Sequence, residues 1–128
     1  MPTTSPAFQY KTGKEIHTIE VNAIVYLKNV KRVIELYVWD HYENSVILAS
    51  KFYSTVSDAM SQLPSSQFLR CERSHIINMG YTQLMEKNGF TLKDKENTRI
   101  PISRSCRAVA RKVYFTYQGS IGSANSIN

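Results

Sequence analysis

"FLRCERSHIIN", Phe68–Asn78, starts and ends like a β-strand but carries charge through its middle. Phe68, Ile76 and Ile77 are the aromatic and β-branched types that suit a pleated surface, yet Arg70, Glu72 and Arg73 fall within four residues. In one continuous strand running to a reversal near Met79–Gly80, Arg70 and Glu72 would share one face, and Cys71 and Arg73 the other. Charge on both faces argues against a strand buried along its whole length. The structural reading is an ion pair, Arg70 with Glu72 or Arg73 with a neighbouring strand, worth about 0–1 kcal/mol on a surface. The functional reading ends the strand early, so that "ERS" forms a loop presenting Arg73 outward. A guanidinium so placed can fork onto two phosphate oxygens or onto O6 and N7 of a guanine.

The same vocabulary extends outward along the chain: "FQYKT", "IHTIEV", "AIVYL", "KRVIELYVW", "SVILAS", "YTQLME", "GFTLKD" and "RIPIS" all read as short strands. In "VIELYVW", Ile34, Leu36 and Val38 alternate with Val33, Glu35, Tyr37 and Trp39, the pattern of an antiparallel sheet with one wet face. Asn88–Gly89 predicts a hairpin, and Gly13 and "DHYENS" predict two further reversals. Two stretches have helical spacing. "STVSDAMSQL" has Ser54 or Thr55 as a cap and stops at Pro64, whereas "SRSCRAVARKVYFTY" places Cys106, Val109, Ala110, Val113 and Tyr117 on one face and Arg104, Arg107 and Arg111 on another. Arg104 sits at or just before that helix start, where the dipole disfavours a cation by up to about 1 kcal/mol. Backbone N–H groups at the same point suit a phosphate, so an anion-binding corner is expected there.

The 128 residues suffice for one domain with an ordinary core. Residues 1–7 read as a disordered lead, 8–117 as the folded body and 118–128 as a flexible tail of small polar residues. Apolar runs such as Ala23–Leu27 fall far short of the roughly 18 residues that a spanning helix needs, so a cytoplasmic location is expected. Cys71 and Cys106 lack zinc-site spacing and point to free thiols. The net charge of +6 is unevenly distributed: residues 99–128 hold five Lys/Arg and no Asp/Glu. A localised positive excess attracts polyanions, nucleic acid and anionic membrane surfaces among them.

"FLRCERSHIIN", followed two dozen residues later by "RIPISRSCR", resembles the LytTR-type DNA-binding domain, the C-terminal module of many bacterial response regulators of two-component systems. The resemblance runs from about Phe8 to Val113 and includes "AIVYLKNVKR". It implies a mainly β fold, about ten short antiparallel strands in stacked sheets with one or two short helices, whose loops enter the major groove of double-stranded DNA. By the same resemblance Arg73 reaches DNA from its loop, Arg104 is a base-contacting arginine, and Lys31 and Arg32 fall in another base-reading loop. Arg70, Ser74 and Arg107 would meet phosphates or brace the loop. Transcription regulation is the implied function, with a dimer on DNA and a receiver domain or membrane-bound regulator as further partners; no cofactor, metal or small-molecule substrate is implied. Glu72 departs from the family's usual histidine. A carboxylate near DNA is repelled unless it pairs with Arg70 or accepts from a cytosine N4 amine.

Two other classes compete. A thiol enzyme would need Cys71 or Cys106 with His41 or His75, but no third group orients such a pair and no glycine-rich phosphate cradle is present. A protein-interaction module, or a regulator held by a membrane partner, would use Tyr37, Tyr42, Tyr53 and Tyr81 as an interface; aromatic residues on strands are more often cross-strand packing.

Overall fold

A computed structural model describes residues 6–125, with side chains to Gly119. The elements are β1 (Ala7–Thr12), β2 (Glu15–Glu20), β3 (Ile24–Val30), β4 (Val33–Asp40), β5 (Ser45–Tyr53), α1 (Val56–Ser61), β6 (Phe68–Glu72), β7 (His75–Asn78), β8 (Thr82–Glu86), β9 (Gly89–Leu92), β10 (Arg99–Pro101) and α2 (Arg107–Asn125). All strand pairs are antiparallel. β1 and β2 form a ribbon, β10-β9-β8 a three-stranded sheet, and β5-β4-β3-β7-β6 a central five-stranded sheet.

The central sheet is covered on both faces. One face carries Ile24, Leu27, Ile34, Leu36, Phe68 and Ile76, which pack with Phe8 of β1, Phe52 of β5, and Val56 and Ala59 of α1. The opposite face carries Val25, Leu69, Cys71 and Ile77, packed with Phe90, Leu92 and Ile100 of the three-stranded sheet and Ala110 of α2. Each large side chain so buried contributes about 1.5–3 kcal/mol. The alternation in β4 therefore separates two cores, and the face expected to be wet is covered: Tyr37 stacks on Tyr26 at 4.2 Å and Trp39 on Tyr81 at 5.4 Å.

Local signals explain the boundaries. Thr55 caps α1 by accepting the Asp58 N–H at 3.0 Å, a contact worth about 1 kcal/mol. The hairpin expected at Asn88–Gly89 forms one residue earlier: Glu86 pairs with Gly89, which leaves Lys87–Asn88 as the turn. Gly89 answers to space rather than to φ, since an added Cβ would lie 2.9 Å from the Ile100 carbonyl oxygen and 3.0 Å from Arg99 Nε. A second departure lies at the C-terminus. α2 continues past Tyr117 to Asn125, so the segment read as a tail from 118 is helical over Gln118–Asn125; once a helix is nucleated, each further residue adds a backbone hydrogen bond. The expected lead at 1–7 begins outside the described residues, which start at Pro6, and Ala7 already belongs to β1. Residues 126–128 also lie outside them.

Candidate nucleic-acid interface

"FLRCERSHIIN" is a hairpin. Glu72 pairs with His75, which leaves Arg73–Ser74 as a two-residue turn between β6 and β7. The register slips between Arg70, which faces Ile76, and Glu72, so Cys71 is the extra residue of a bulge. This bulge resolves the pattern of charge: Cys71 turns into the core, while Arg70 and Arg73 remain exposed. Burial pushes the Cys71 thiol up to about 12, so it stays protonated at neutral pH, and both cysteines are free.

Lys31 and Arg32 occupy an equivalent turn. Val30 pairs with Val33, which leaves Lys31–Arg32 exposed between β3 and β4. Lys31 has φ +61°, a left-handed conformation that costs a side-chain-bearing residue about 1–2 kcal/mol. Because β3 lies beside β7, the two turns project from the same end of the central sheet, and the Asn29 N–H joins them by donating to the Ser74 carbonyl at 2.7 Å. Two strand spacings of about 4.8 Å separate the tips, so they stand roughly 10 Å apart.

A third segment completes this end. The Ser103 N–H donates to the Cys71 carbonyl at 3.0 Å, which seats the 3-10 turn Arg104–Cys106 against the β6–β7 hairpin. Ser103, Ser105 and Cys106 line a cavity of about 460 Å³ together with Arg70, Glu72 and Arg73, and Arg104 lies exposed between the two serines. Ser103 occupies the cap position of this turn without a side-chain capping bond. No carboxylate lies within ion-pair distance of Lys31, Arg32, Arg73 or Arg104 among the described residues.

The remaining sequence-predicted residues divide. Arg70 braces the turn, its Nη2 donating to the Arg73 carbonyl at 2.8 Å. Ser74 contributes backbone, its N–H donating to Glu72 Oε1 at 2.7 Å. Glu72 pairs with neither arginine; Oε1 also meets His75 Nδ1. Burial alone would raise the Glu72 carboxyl, but the bonds from His75 and from the Ser74 N–H outweigh it and hold the pKa below the ordinary value of 4.5. Arg107 stands apart from this cluster. Its Nη2 donates to Asn88 Oδ1 at 2.6 Å and ties α2 to the β8–β9 turn, in a cleft it shares with Leu84, Tyr114 and Phe115. Sequence reading missed Ser103 and Ser105, which line the cavity; Tyr53, read there only as part of a protein-interaction surface, is 83% exposed and pairs with Val33 beside the Lys31–Arg32 turn. Tyr53 ends a strand by its residue type alone, and only the register shows which end.

The family model of the LytTr DNA-binding domain matches residues 14–114. The chain belongs to that family. The LytTr match makes it a DNA-binding domain of a kind used in transcription regulation, which is not an enzyme class. Two curated relatives, the heme-containing CO-sensing transcriptional regulators RcoM 1 and RcoM 2 of Paraburkholderia xenovorans (strain LB400), are each 30% identical over 95 residues. The match takes in 70% of this chain but 36% of either relative's length. Among solved structures, the LytTr DNA-binding domain of a putative methyl-accepting/DNA response regulator from Bacillus cereus shares the fold, with a TM-score of 0.63 at 19% identity, over 86% of this chain and 97% of that one. No helix among the described residues is long and apolar enough to cross a membrane, and none of their His, Cys, Asp and Glu side chains group as a metal site.

Proposed function

We propose that this LytTr domain binds double-stranded DNA sequence-specifically, with the Lys31–Arg32 turn, the Arg73–Ser74 turn and Arg104 entering the major groove. The observation that carries this reading is the convergence of three segments on one end of the central sheet, each offering a cation without a carboxylate partner among the described residues. Tips about 10 Å apart suit a major groove about 12 Å wide, which admits a two-stranded ribbon as readily as a helix. Arg73 and Arg104 read guanine edges, and Lys31 and Arg32 read bases or clasp phosphates. Arg70 acts through Arg73 by fixing its carbonyl. Two copies occupy a direct repeat spaced to place both on one side of the duplex, under control of a receiver domain or a membrane-bound regulator.

Titration of a labelled duplex against salt tests this. With six to eight phosphates neutralised, log Kd against log salt has a slope of about 5–7 in magnitude; a slope near zero contradicts the reading. Arg73→Ala and Arg104→Ala each cost about 1–3 kcal/mol on the selected site and much less on random DNA. Equal losses on both DNAs reduce these arginines to phosphate contacts.

A further inference from the structure

Glu72 is a carboxylate beside the exposed Arg70 and Arg73, and the structure removes one of its two explanations. It does not pair with Arg70, whose guanidinium serves the Arg73 carbonyl. Its Oε1 carries two contacts, from the Ser74 N–H and from His75 Nδ1. Since an ionised carboxylate only accepts, Nδ1 bears the imidazole proton. The Arg73 backbone N–H adds a weaker interaction with the carboxyl group, and Oε2 accepts from no side chain among the described residues. The side chain retains 22% of its area in the open and lines the same cavity as Arg73, Ser103 and Ser105.

The carboxylate cannot swing away from this position without cost. Behind it His75 stacks on Tyr26, Tyr26 stacks on Tyr37 at 4.2 Å, and the Tyr37 hydroxyl donates to Glu35 Oε1 at 2.7 Å. A row of rings within the central sheet therefore holds the imidazole, and the imidazole holds Oε1. A rigid, ionised acceptor repels phosphate and rejects base edges that offer only acceptors. In the major groove guanine offers O6 and N7, and thymine offers O4 and a methyl group; cytosine offers a lone donor, its N4 amine. Adenine pairs its N6 amine with the N7 acceptor, which a carboxylate disfavours. Arg73, the next residue, supplies donors for the guanine opposite that cytosine.

The geometry points to Glu72 as a specificity-determining residue that accepts the N4 amine of a cytosine, beside the guanine edge taken by Arg73. This rests on the proposal that the Arg73–Ser74 turn enters the major groove. It adds to that proposal an acceptor, and hence a selection against base pairs that lack an amine at that place.

The test combines a protein change with a DNA change. Duplexes are selected from a random pool by the wild-type domain and by Glu72→Gln, whose amide oxygen still accepts the Ser74 N–H. The wild type enriches a C·G pair at one position, and Glu72→Gln weakens that preference about tenfold, keeping the part that Arg73 supplies through the guanine, with the rest of the motif intact. Replacing the selected cytosine by a pyrimidin-2-one nucleotide, which lacks the amine, weakens the wild type by about tenfold and leaves Glu72→Gln unaffected. The same motif from both proteins overturns the inference, as does tighter binding of every sequence by Glu72→Gln, which would make the carboxylate merely repulsive. If Glu72→Gln does not fold, the pyrimidin-2-one duplex with the wild-type domain decides alone. A motif that is lost with Arg73→Ala but indifferent to the cytosine amine sinks this inference and leaves the DNA reading standing; no motif from either protein removes both.

Discussion

Lys31→Gly separates stability from binding, because the two respond with opposite sign. Lys31 holds φ +61° in a two-residue turn, a conformation that costs a residue with a Cβ about 1–2 kcal/mol and glycine essentially nothing. Glycine gives back about 0.5–1 kcal/mol through the greater entropy of its unfolded chain. The net effect is a domain about 0.5–1 kcal/mol more stable, which raises Tm by roughly 2–4 °C at this size. The ammonium is exposed and has no carboxylate partner among the described residues, so folding loses no ion pair there. DNA binding moves the other way: one lost cation makes the log–log salt slope shallower by about one and weakens all sequences. Lys31→Ala is the control, since it keeps the strain and removes the charge; it weakens binding equally without raising Tm. Differential scanning calorimetry and fluorescence anisotropy at several salt concentrations read both arms. An unchanged slope in Lys31→Gly refutes the role of this turn, and a lowered Tm refutes the assignment of strain.

Three further outcomes follow from the geometry. Arg70→Ala frees the Arg73 carbonyl while leaving the Arg73 side chain in place, so affinity for the selected duplex drops by about tenfold, within the range for a charge-assisted bond, and Tm changes by only a few degrees. Gly89→Ala drives a Cβ to 2.9 Å from the Ile100 carbonyl oxygen and costs about 1–3 kcal/mol of stability, read by thermal or denaturant unfolding; a neutral result would show that β9 and β10 can part. Glu72, whose pKa is held below 4.5 in the folded state, contributes stability that is fully present above that value and lost as pH falls through the folded one. The unfolding free energy of the wild type therefore declines on acidification through that window, and Glu72→Gln shows a flatter decline.

Much of this arrangement is legible in residue order. The alternation of Ile34, Leu36 and Val38 defines β4, Thr55 marks the start of α1, and the charge in "RCERS" marks a turn. What period-2 alternation does not reveal is how many layers the sheet separates: Tyr37 and Trp39 look amphipathic and wet until β8–β10 and α2 are packed over them. The bulge at Cys71 is equally hidden, since a single inserted residue reverses which side chains face inward only once a partner strand sets the register. Lysine gives no hint of a left-handed turn, so the strain at Lys31 is a property of the fold. Within the candidate site, the cations are visible as residue types, whereas the engagement of Glu72 with Ser74 and His75 depends on the tightness of the hairpin. Arg107 shows the converse: its spacing from Arg104 places it on the same helical stripe, but the β8–β9 turn draws its guanidinium to Asn88.

The most direct test of the central claim is an amide chemical-shift map of the labelled domain titrated with its selected duplex. The account predicts the largest changes at residues 29–32, 70–75 and 103–106, in one contiguous surface, with the opposite end of the central sheet around His41–Asn44 unmoved. Changes centred on the β4–β5 turn or on the cleft beside Phe115, with the Lys31–Arg32 and Arg73–Ser74 turns silent, would contradict it.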